Sequence, residues 1–173
     1  MLSLGNIMSA AGVIGGFGLA AMGIKKIVSE AANFENSVAS FTTLLGGSEV
    51  EAKKLVESLQ TLGAETPFEF KDLAEATTRM LGFGAITKDT AIPTLRMLGD
   101  LAQGSSDKLQ SISLVYGQIM AGGKMMGQDF NQLINAQVPI ARGLAELWGY
   151  GVTDAAVAKA TARIKNSGGI AAS

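Results

Sequence analysis

The chain has 173 residues and a formal net charge of −1; 47% of its residues are hydrophobic and only 6% are aromatic. This length and hydrophobic content suit one compact domain with its own core. The near-zero charge and the scarcity of aromatic rings provide neither a field nor stacking platforms for nucleic acid, so we expect no specific nucleic-acid binding.

Neither cysteine nor histidine occurs, which excludes disulfides, thiol and imidazole catalysis and the usual zinc sites. The 15 acidic residues are scattered, and Glu49 and Lys53 illustrate the i, i+4 charge spacing of a solvated helix face. We therefore predict that the chain is not an enzyme, that it binds no cofactor or metal, and that it has no small-molecule substrate.

The first predicted element is an uncharged helix at residues 2–24, followed by the lysine pair 25–26. Such a helix could cross the ~30 Å hydrocarbon layer of a membrane. No basic region precedes it, which argues against a cleaved signal peptide. A membrane anchor, a helix that packs against protein partners or copies of itself, and a buried core helix stay open. We favour the packing helix, which could become membrane-active after a trigger.

Four residues define the candidate self-association or membrane face of this segment. Gly12 and Gly16 have the GxxxG spacing that lets two helices approach closely, and Phe17 and Leu19 follow them. The chain contains 22 glycines, so this spacing alone does not specify a helix pair.

Apolar periodicity and glycine punctuation predict helices from residue 25 onward. The run 25–45 ends at Gly46-Gly47. Ser48 and Glu51 then form a capping box, in which the Ser48 hydroxyl accepts from the third amide while Glu51 reaches back.

Thr66 and Pro67 repeat a helix start signal, with proline in the first helical position, and this helix continues to Gly82. A helix begins near Thr90, and Gly104 stops it. Its predicted buried face consists of Leu95, Leu98, Leu101 and Ala102. Ser105 or Ser106 caps the next helix, which runs to Gly122-Gly123.

Residues 127–135 predict a short helix with two unlike faces. Phe130, Leu133 and Ile134 are predicted to point inward. The other face consists of Gln128, Asp129, Asn131, Gln132 and Asn135. This amide-rich face is either solvated or a polar partner interface. Met125 and Met126 before it either fill gaps in the core or form an adaptable partner-binding surface. Asp129 also suits the helix dipole.

Two last helices are predicted, one from Pro139 to Trp148 and one capped by Thr153. The predicted fold class is all-α: a compact domain of about six short helices after a long Gly/Ala-rich apolar N-terminal helix. The predicted parts are 1–45, the apolar helix and its amphipathic continuation; 46–152, the helical domain; and 153–173, an Ala-rich helix with a frayed, truncated C-terminus.

Residues 66–133 contain five distinctive blocks: Thr66-Pro67-Phe68, Gly82-Phe83-Gly84, Gly99-Asp100-Leu101-Ala102, Gly117-Gln118-Ile119 and Gly127-Gln128-Asp129-Phe130-Asn131-Gln132-Leu133. These blocks resemble the N-terminal domain of bacteriophage tape measure proteins. Their order and spacing match together, and the resemblance extends over roughly residues 5–152.

The resemblance implies a structural role in tail assembly, tail-length determination and genome ejection. The implied partners are other tape measure copies, tail tube, tail-tip and tail assembly chaperone proteins, and the host inner membrane. The implied locations are the virion tail lumen, the host cytoplasm during assembly and the inner membrane during ejection. Two alternatives stay open: a channel or ejection factor that depends on residues 2–24, and a domesticated prophage fragment that interferes with tail assembly.

Two departures accompany the resemblance. Gln137-Val138 stands where the family tends toward a glycine before proline, and the pattern is lost after Tyr150. Family members are much longer, and even a wholly helical chain of this length would reach only ~260 Å. We therefore expect the chain to be a fragment, either a truncated prophage product or an excised piece.

Overall fold

Capping side chains and glycines set the ends of most helices. The computed structural model describes residues 19–171, with side chains from residue 32 onward. The helices of these residues are α1 (Leu19–Leu44), α2 (Glu49–Glu65), α3 (Phe70–Gly82), α4 (Ala91–Ala102), α5 (Ser106–Gly122), α6 (Gly127–Asn135), α7 (Ile140–Leu147) and α8 (Asp154–Asn166). Strands β1 (Lys124–Met125) and β2 (Ile170–Ala171) are short. The all-α prediction is confirmed, with six helices between residues 48 and 149.

The chain divides by its internal contacts between Glu35 and Asn36, and the unit from Asn36 onward contains the core. The predicted boundaries after residues 45 and 152 stay predictions. Gly12, Gly16 and Phe17 lie outside the described residues, and Leu19 opens α1 without a described side chain. Within the described part of the chain, no helix is both long enough and apolar enough to cross a membrane.

Three predicted N-caps are present. The Ser48 hydroxyl accepts from the Glu51 amide at 3.4 Å, Ser105 accepts from the Lys108 amide at 3.4 Å, and Thr153 accepts from the Ala156 amide at 3.2 Å. The capping box also predicts a hydrogen bond from the Ser48 backbone amide to the Glu51 side chain. This part of the prediction is wrong, because the Glu51 carboxylate pairs with Lys88 instead. That ion pair ties α2 to the loop before α4.

The helix predicted to begin at Pro67 begins three residues later, at Phe70. Thr66 is not its cap; the Thr66 hydroxyl donates back to the Leu62 carbonyl at 2.7 Å and so closes α2. The Phe68 side chain is 5% exposed and packs over Gly99 of α4. The burial of this ring explains why the segment before Phe70 stays outside the helix.

Helices α2 to α5 enclose the main apolar core. Helix α3 packs most extensively on α5, α4 also packs on α5, and α2 packs on α3. The large, fully buried side chains of these helices are Val56, Leu59, Leu62, Leu73, Met80, Leu95, Leu98, Leu109 and Ile112. Phe41, near the end of α1, is also fully buried.

Two residues predicted to point inward are exposed: Leu101 is 37% and Ile134 is 42% accessible. The buried stripe of α4 follows Ala91, Leu95, Leu98 and Ala102, which leaves Leu101 at its edge. Helix α6 has only nine residues and buries Phe130 and Leu133, so Ile134 lies beyond its narrow buried face.

The C-terminal helices α7 and α8 pack on each other around small side chains. Ala145 of α7 and Ala156 and Ala160 of α8 are buried, and the half-buried rings of Trp148 and Tyr150 pack against them. We call these two helices and their connection the α7–α8 pair.

The end of the described chain is paired, which differs from the predicted fraying. Strand β2 runs antiparallel to β1, with Lys124 opposite Ala171 and Met125 opposite Ile170. Gly169 precedes this contact with φ +122°, and a Cβ there would lie 2.9 Å from the Met126 sulfur. A side chain at position 169 would therefore meet both backbone strain and a steric contact.

Candidate partner-binding surface

Helix α6 is positioned by one polar cap and three buried side chains. The Met126 amide donates to the Asp129 carboxylate at 2.8 Å, so Asp129 satisfies an amide that the helix cannot. Met125, Phe130 and Leu133 are buried beneath the helix and hold it against its neighbours. The Asp129 carboxylate therefore has a structural role at the start of α6.

The opposite side of α6 faces outward and is largely uncharged. Gln128, Asn131 and Asn135 are exposed, and Ile134 and Met126 add apolar area to the same short segment. The two methionines thus lie in different environments: Met125 is buried in the core, whereas Met126 is 39% exposed. We call Met126, Gln128, Asn131, Ile134 and Asn135 the α6 face.

A shallow groove of about 280 Å³ lies between α5 and α6. Its lining residues are Ser111, Leu114, Val115, Gln132, Asn135 and Ala136. Gln132 and Asn135 each carry an amide that can both donate and accept, and Leu114 and Val115 provide apolar surface beside them. The arrangement suits hydrogen bonding to a polypeptide and brings two of the sequence-predicted contact residues into one groove.

Four of the five sequence blocks pack against each other in two pairs. In each pair, an aromatic ring of one block lies on a glycine of the other. A Cβ at Gly99 would lie 3.0 Å from the Phe68 ring, and one at Gly117 would lie 2.4 Å from the Phe83 ring. Pro67 similarly covers Gly104, where the corresponding distance is 3.1 Å. These glycines let the 66–68 and 83–84 segments approach α4 and α5 closely, so the blocks encode packing between helices.

A second groove, of about 390 Å³, runs along the 66–68 segment and the end of α4. Its walls include Leu62, Phe68, Leu95 and Gly99, and Arg96 and Asp100 add charge. Arg96 is already paired with Glu65 across the α2–α4 gap. Phe68 and Gly99 both line this groove, so it adjoins the ring-on-glycine packing.

The departure at Gln137 has a backbone explanation. Gln137 adopts φ +61° in the turn between α6 and α7, where its amide donates to the Ile134 carbonyl at 2.9 Å. Glycine enters this left-handed region freely, whereas other L-residues do so at a cost. A glycine suits this turn better than the glutamine that occupies it.

Sequence reasoning missed the two cations on the aromatic rings of the α7–α8 pair. The Arg163 guanidinium lies 4.3 Å from the Trp148 ring centre, and the Lys159 ammonium lies 4.2 Å from that of Tyr150. Lys159 and Arg163 precede the buried stripe residues Ala160 and Ile164 by one position. The i, i+4 spacing of Lys159 and Arg163, next to a stripe of alanines, could have indicated that the two cations share one helix face. It could not have indicated which aromatic rings they contact.

The described residues contain no group of three acidic side chains that could hold a metal ion. Their distinctive features are helix packing, caps and an uncharged outward face, which are features of a helical structural domain. The tape measure protein family matches residues 25–169, and the chain belongs to this family.

Two relatives are each called a probable tape measure protein, from Lactococcus phage p2 and Lactococcus phage SK1. Each is 27% identical over 127 residues, which is 70% of this chain. The chain spans 13% of the length of each relative. No solved structure matches the chain significantly.

Proposed function

We propose that this chain is the N-terminal region of a bacteriophage tail tape measure protein and acts as a structural, non-catalytic part of the tail. The match to the tape measure family over residues 25–169 carries this proposal. The proposed site of action is the virion tail, with the host cytoplasm as the place of assembly.

Within that role, the described domain anchors the protein and does not itself measure length. Helices α2 to α8 pack on their neighbours, and the longest of them, α2 and α5, have 17 residues each and lengths of ~26 Å. We assign the measurement of tail length to the remaining part of such proteins, because this chain spans only 13% of the length of each relative. The α6 face is the proposed contact with tail tube, tail-tip or assembly chaperone proteins, or with other copies.

Duplication of residues 36–171 in frame, within the phage gene that encodes this chain, tests the anchoring role. If the 136 added residues measured length as helix, tails would lengthen by ~200 Å. We expect no such increase by electron microscopy, because the duplicated copy folds into a compact unit. Lengthening by about that amount would contradict the anchoring role.

Single changes on the α6 face test its partner role. Asn131→Arg and Ile134→Asp should reduce the yield of tailed particles at least several-fold, while Lys54→Gln, at an exposed position of α2, should not. Circular dichroism of each variant checks that the helical content is unchanged. Normal particle yield from both α6 variants would show that partners bind elsewhere.

The uncharged stretch at residues 2–24 favours a second role, membrane interaction during genome ejection. Flotation of the full chain with liposomes, compared with a version lacking residues 1–24, tests this role. Flotation of the full chain alone, with both versions helical, would support it. If neither floats and the deletion abolishes self-association, the segment is a packing surface and the membrane role is dropped.

The remaining alternative is interference by a domesticated prophage fragment. Expression of this chain during infection by a related phage would then lower the number of tailed particles, and the α6-face variants would relieve the effect. Unchanged particle numbers at high expression would argue against interference.

A further inference from the structure

The α7–α8 pair holds two cations in fixed positions without using carboxylates. Among the described side chains, the ion pairs all lie between residues 49 and 96. Lys159 and Arg163 lie instead on the rings of Tyr150 and Trp148. Ring faces attract cations but leave their net charge in place, so both positive charges remain available.

The hydrogen bonds of this cluster leave several donors unused. One Arg163 nitrogen donates to the Tyr150 hydroxyl at 3.1 Å. Because that hydroxyl oxygen accepts, its own proton is free to be donated, and the guanidinium keeps further N–H groups. The Lys159 ammonium adds three donors beside the same ring. The Lys159 ammonium, the Arg163 guanidinium and the Tyr150 hydroxyl therefore all offer donors at one ring, a set that suits a carboxylate.

The segments that form this cluster contain both basic residues and exposed apolar side chains. Residues 155–171 contain three basic residues and no acidic one. Glu146 and Asp154 are the acidic residues closest in sequence, and neither forms an ion pair with the two cations. Leu147 is 76% exposed and Val152 is 52% exposed, within the same connection.

We infer that Lys159, Arg163 and Tyr150 form a docking site for an acidic, partly apolar protein segment. A carboxylate of that segment binds the two cations and the Tyr150 hydroxyl, while its apolar side chains contact Leu147 and Val152. This inference concerns a different surface from the α6 face and does not depend on the proposed tail function.

The same observations favour a polypeptide over the two other polyanionic partners. The net charge of −1 gives no long-range attraction to nucleic acid, and cations already occupy one face of each ring that a base could stack on. Recognition of anionic lipid typically needs about four to eight clustered basic residues, whereas residues 155–171 supply three. Exposed Leu147 and Val152 suit side-chain contacts with protein.

Trp148 is the only tryptophan of the chain, so the intrinsic fluorescence of the whole protein reports on this site. The probe is an acetylated peptide that contains several glutamates and two leucines, titrated into the full chain. We expect a saturable change in Trp148 emission that weakens as the ionic strength is raised to about 0.5 M. The same peptide with glutamine in place of glutamate should bind at least ~10-fold more weakly.

Variants locate the binding to the cluster. Lys159→Gln and Arg163→Gln should each raise the Kd about tenfold, and Tyr150→Phe should raise it about threefold. Lys54→Gln removes the same charge from exposed α2 and should leave the Kd unchanged. Circular dichroism identifies any variant that loses helix; Lys159→Gln removes only a solvent-exposed end, so it keeps the test decisive if Arg163→Gln unfolds α8.

Three results would overturn the inference. The first is no emission change up to millimolar peptide, and the second is equal weakening by Lys54→Gln and Lys159→Gln. The third is tighter binding of a single-stranded oligonucleotide or of phosphatidylglycerol vesicles than of the peptide, which would assign the site to another class of partner. None of these results bears on whether the chain anchors a tape measure protein.

Discussion

The α2–α5 bundle and the α7–α8 pair bury apolar surface with different side chains. The bundle has a core of fully buried leucines with Met80 and Ile112, and ion pairs at its surface such as Lys53 with Glu49 at 2.6 Å. The α7–α8 pair has three buried alanines beneath two half-buried rings, and cations on those rings.

The difference shows how a helical pair with little side-chain volume can still close its core. Alanines bury little area each, whereas a tryptophan and a tyrosine bury far more and tolerate partial exposure. The charged ends of Lys159 and Arg163 lie over these rings, and both residues remain exposed to solvent. Stability in the bundle therefore depends on many large side chains, and in the α7–α8 pair on few: the two rings and the fully buried Ile164.

The largest effect is expected from a cavity in the bundle. Leu109→Ala removes a fully buried side chain of α5 and should lower the free energy of unfolding by ~3 kcal/mol. Denaturant unfolding followed by circular dichroism measures this change. Leu147→Ala, at a 76% exposed position of α7, is the control and should stay within ~0.5 kcal/mol. Similar losses in both variants would remove the distinction between core and surface.

Trp148→Ala should destabilise the α7–α8 pair while the bundle stays folded. The half-buried ring covers the alanine cluster, so its loss should cost ~2 kcal/mol and act locally. Hydrogen exchange should accelerate in the amides of α8 and stay slow in those of α5. Uniform acceleration in both helices would show that the two regions unfold together.

Gly117→Ala tests the ring-on-glycine packing in the bundle. A Cβ at Gly117 meets the Phe83 ring at 2.4 Å, while one at Gly122, in the same helix, meets nothing within 4 Å. Gly122→Ala should therefore stabilise the protein by ~0.5–1 kcal/mol, and Gly117→Ala should destabilise it by ~1 kcal/mol. Thermal unfolding of the two variants gives the signs. Stabilisation by both would mean that the Phe83 ring moves aside freely.

Gln137→Gly tests the strained turn that leads from α6 to the α7–α8 pair. Glycine should relieve the left-handed backbone at φ +61° and stabilise the chain by ~0.5–1 kcal/mol. The matched change Gln128→Gly, inside α6, should destabilise it by ~1 kcal/mol. Chemical denaturation measures both. A loss of stability in Gln137→Gly would contradict the backbone explanation of this sequence departure.

The smallest effect concerns acid. The hydrogen bond from Lys53, followed by its charge, lowers the pKa of Glu49 below its ordinary value of 4.5. The contribution of the ionised Glu49 carboxylate to the free energy of unfolding is therefore present above pH 4.5 and is lost as the pH falls through the lowered pKa. Comparison of wild type with Glu49→Gln should show a small difference in stability at neutral pH that disappears on acidification. The two-cation cluster contains no carboxylate, so peptide-free Trp148 fluorescence should not follow this titration.

Local sequence signals determined where helices lie. Ser48, Ser105 and Thr153 each cap a helix as predicted, because a hydroxyl three residues before an amide is a local arrangement. The i, i+4 pair of Glu49 and Lys53 likewise forms within one helix. Apolar periodicity identified most of the core but misplaced Leu101 and Ile134, since the width of a buried stripe depends on the neighbouring helices.

The tertiary structure decided which distant residues meet. Thr66-Pro67 carries a helix start signal, yet the burial of Phe68 on Gly99 moved the start of α3 to Phe70. The Glu51 carboxylate contacts Lys88, which lies 37 residues further along the chain, and does not cap the start of its own helix. The partnering of Trp148 and Tyr150 with Arg163 and Lys159, and of β1 with β2, also depends on chain reversal. Sequence spacing specifies neighbours within one helix, whereas contacts between helices depend on how their faces fit together.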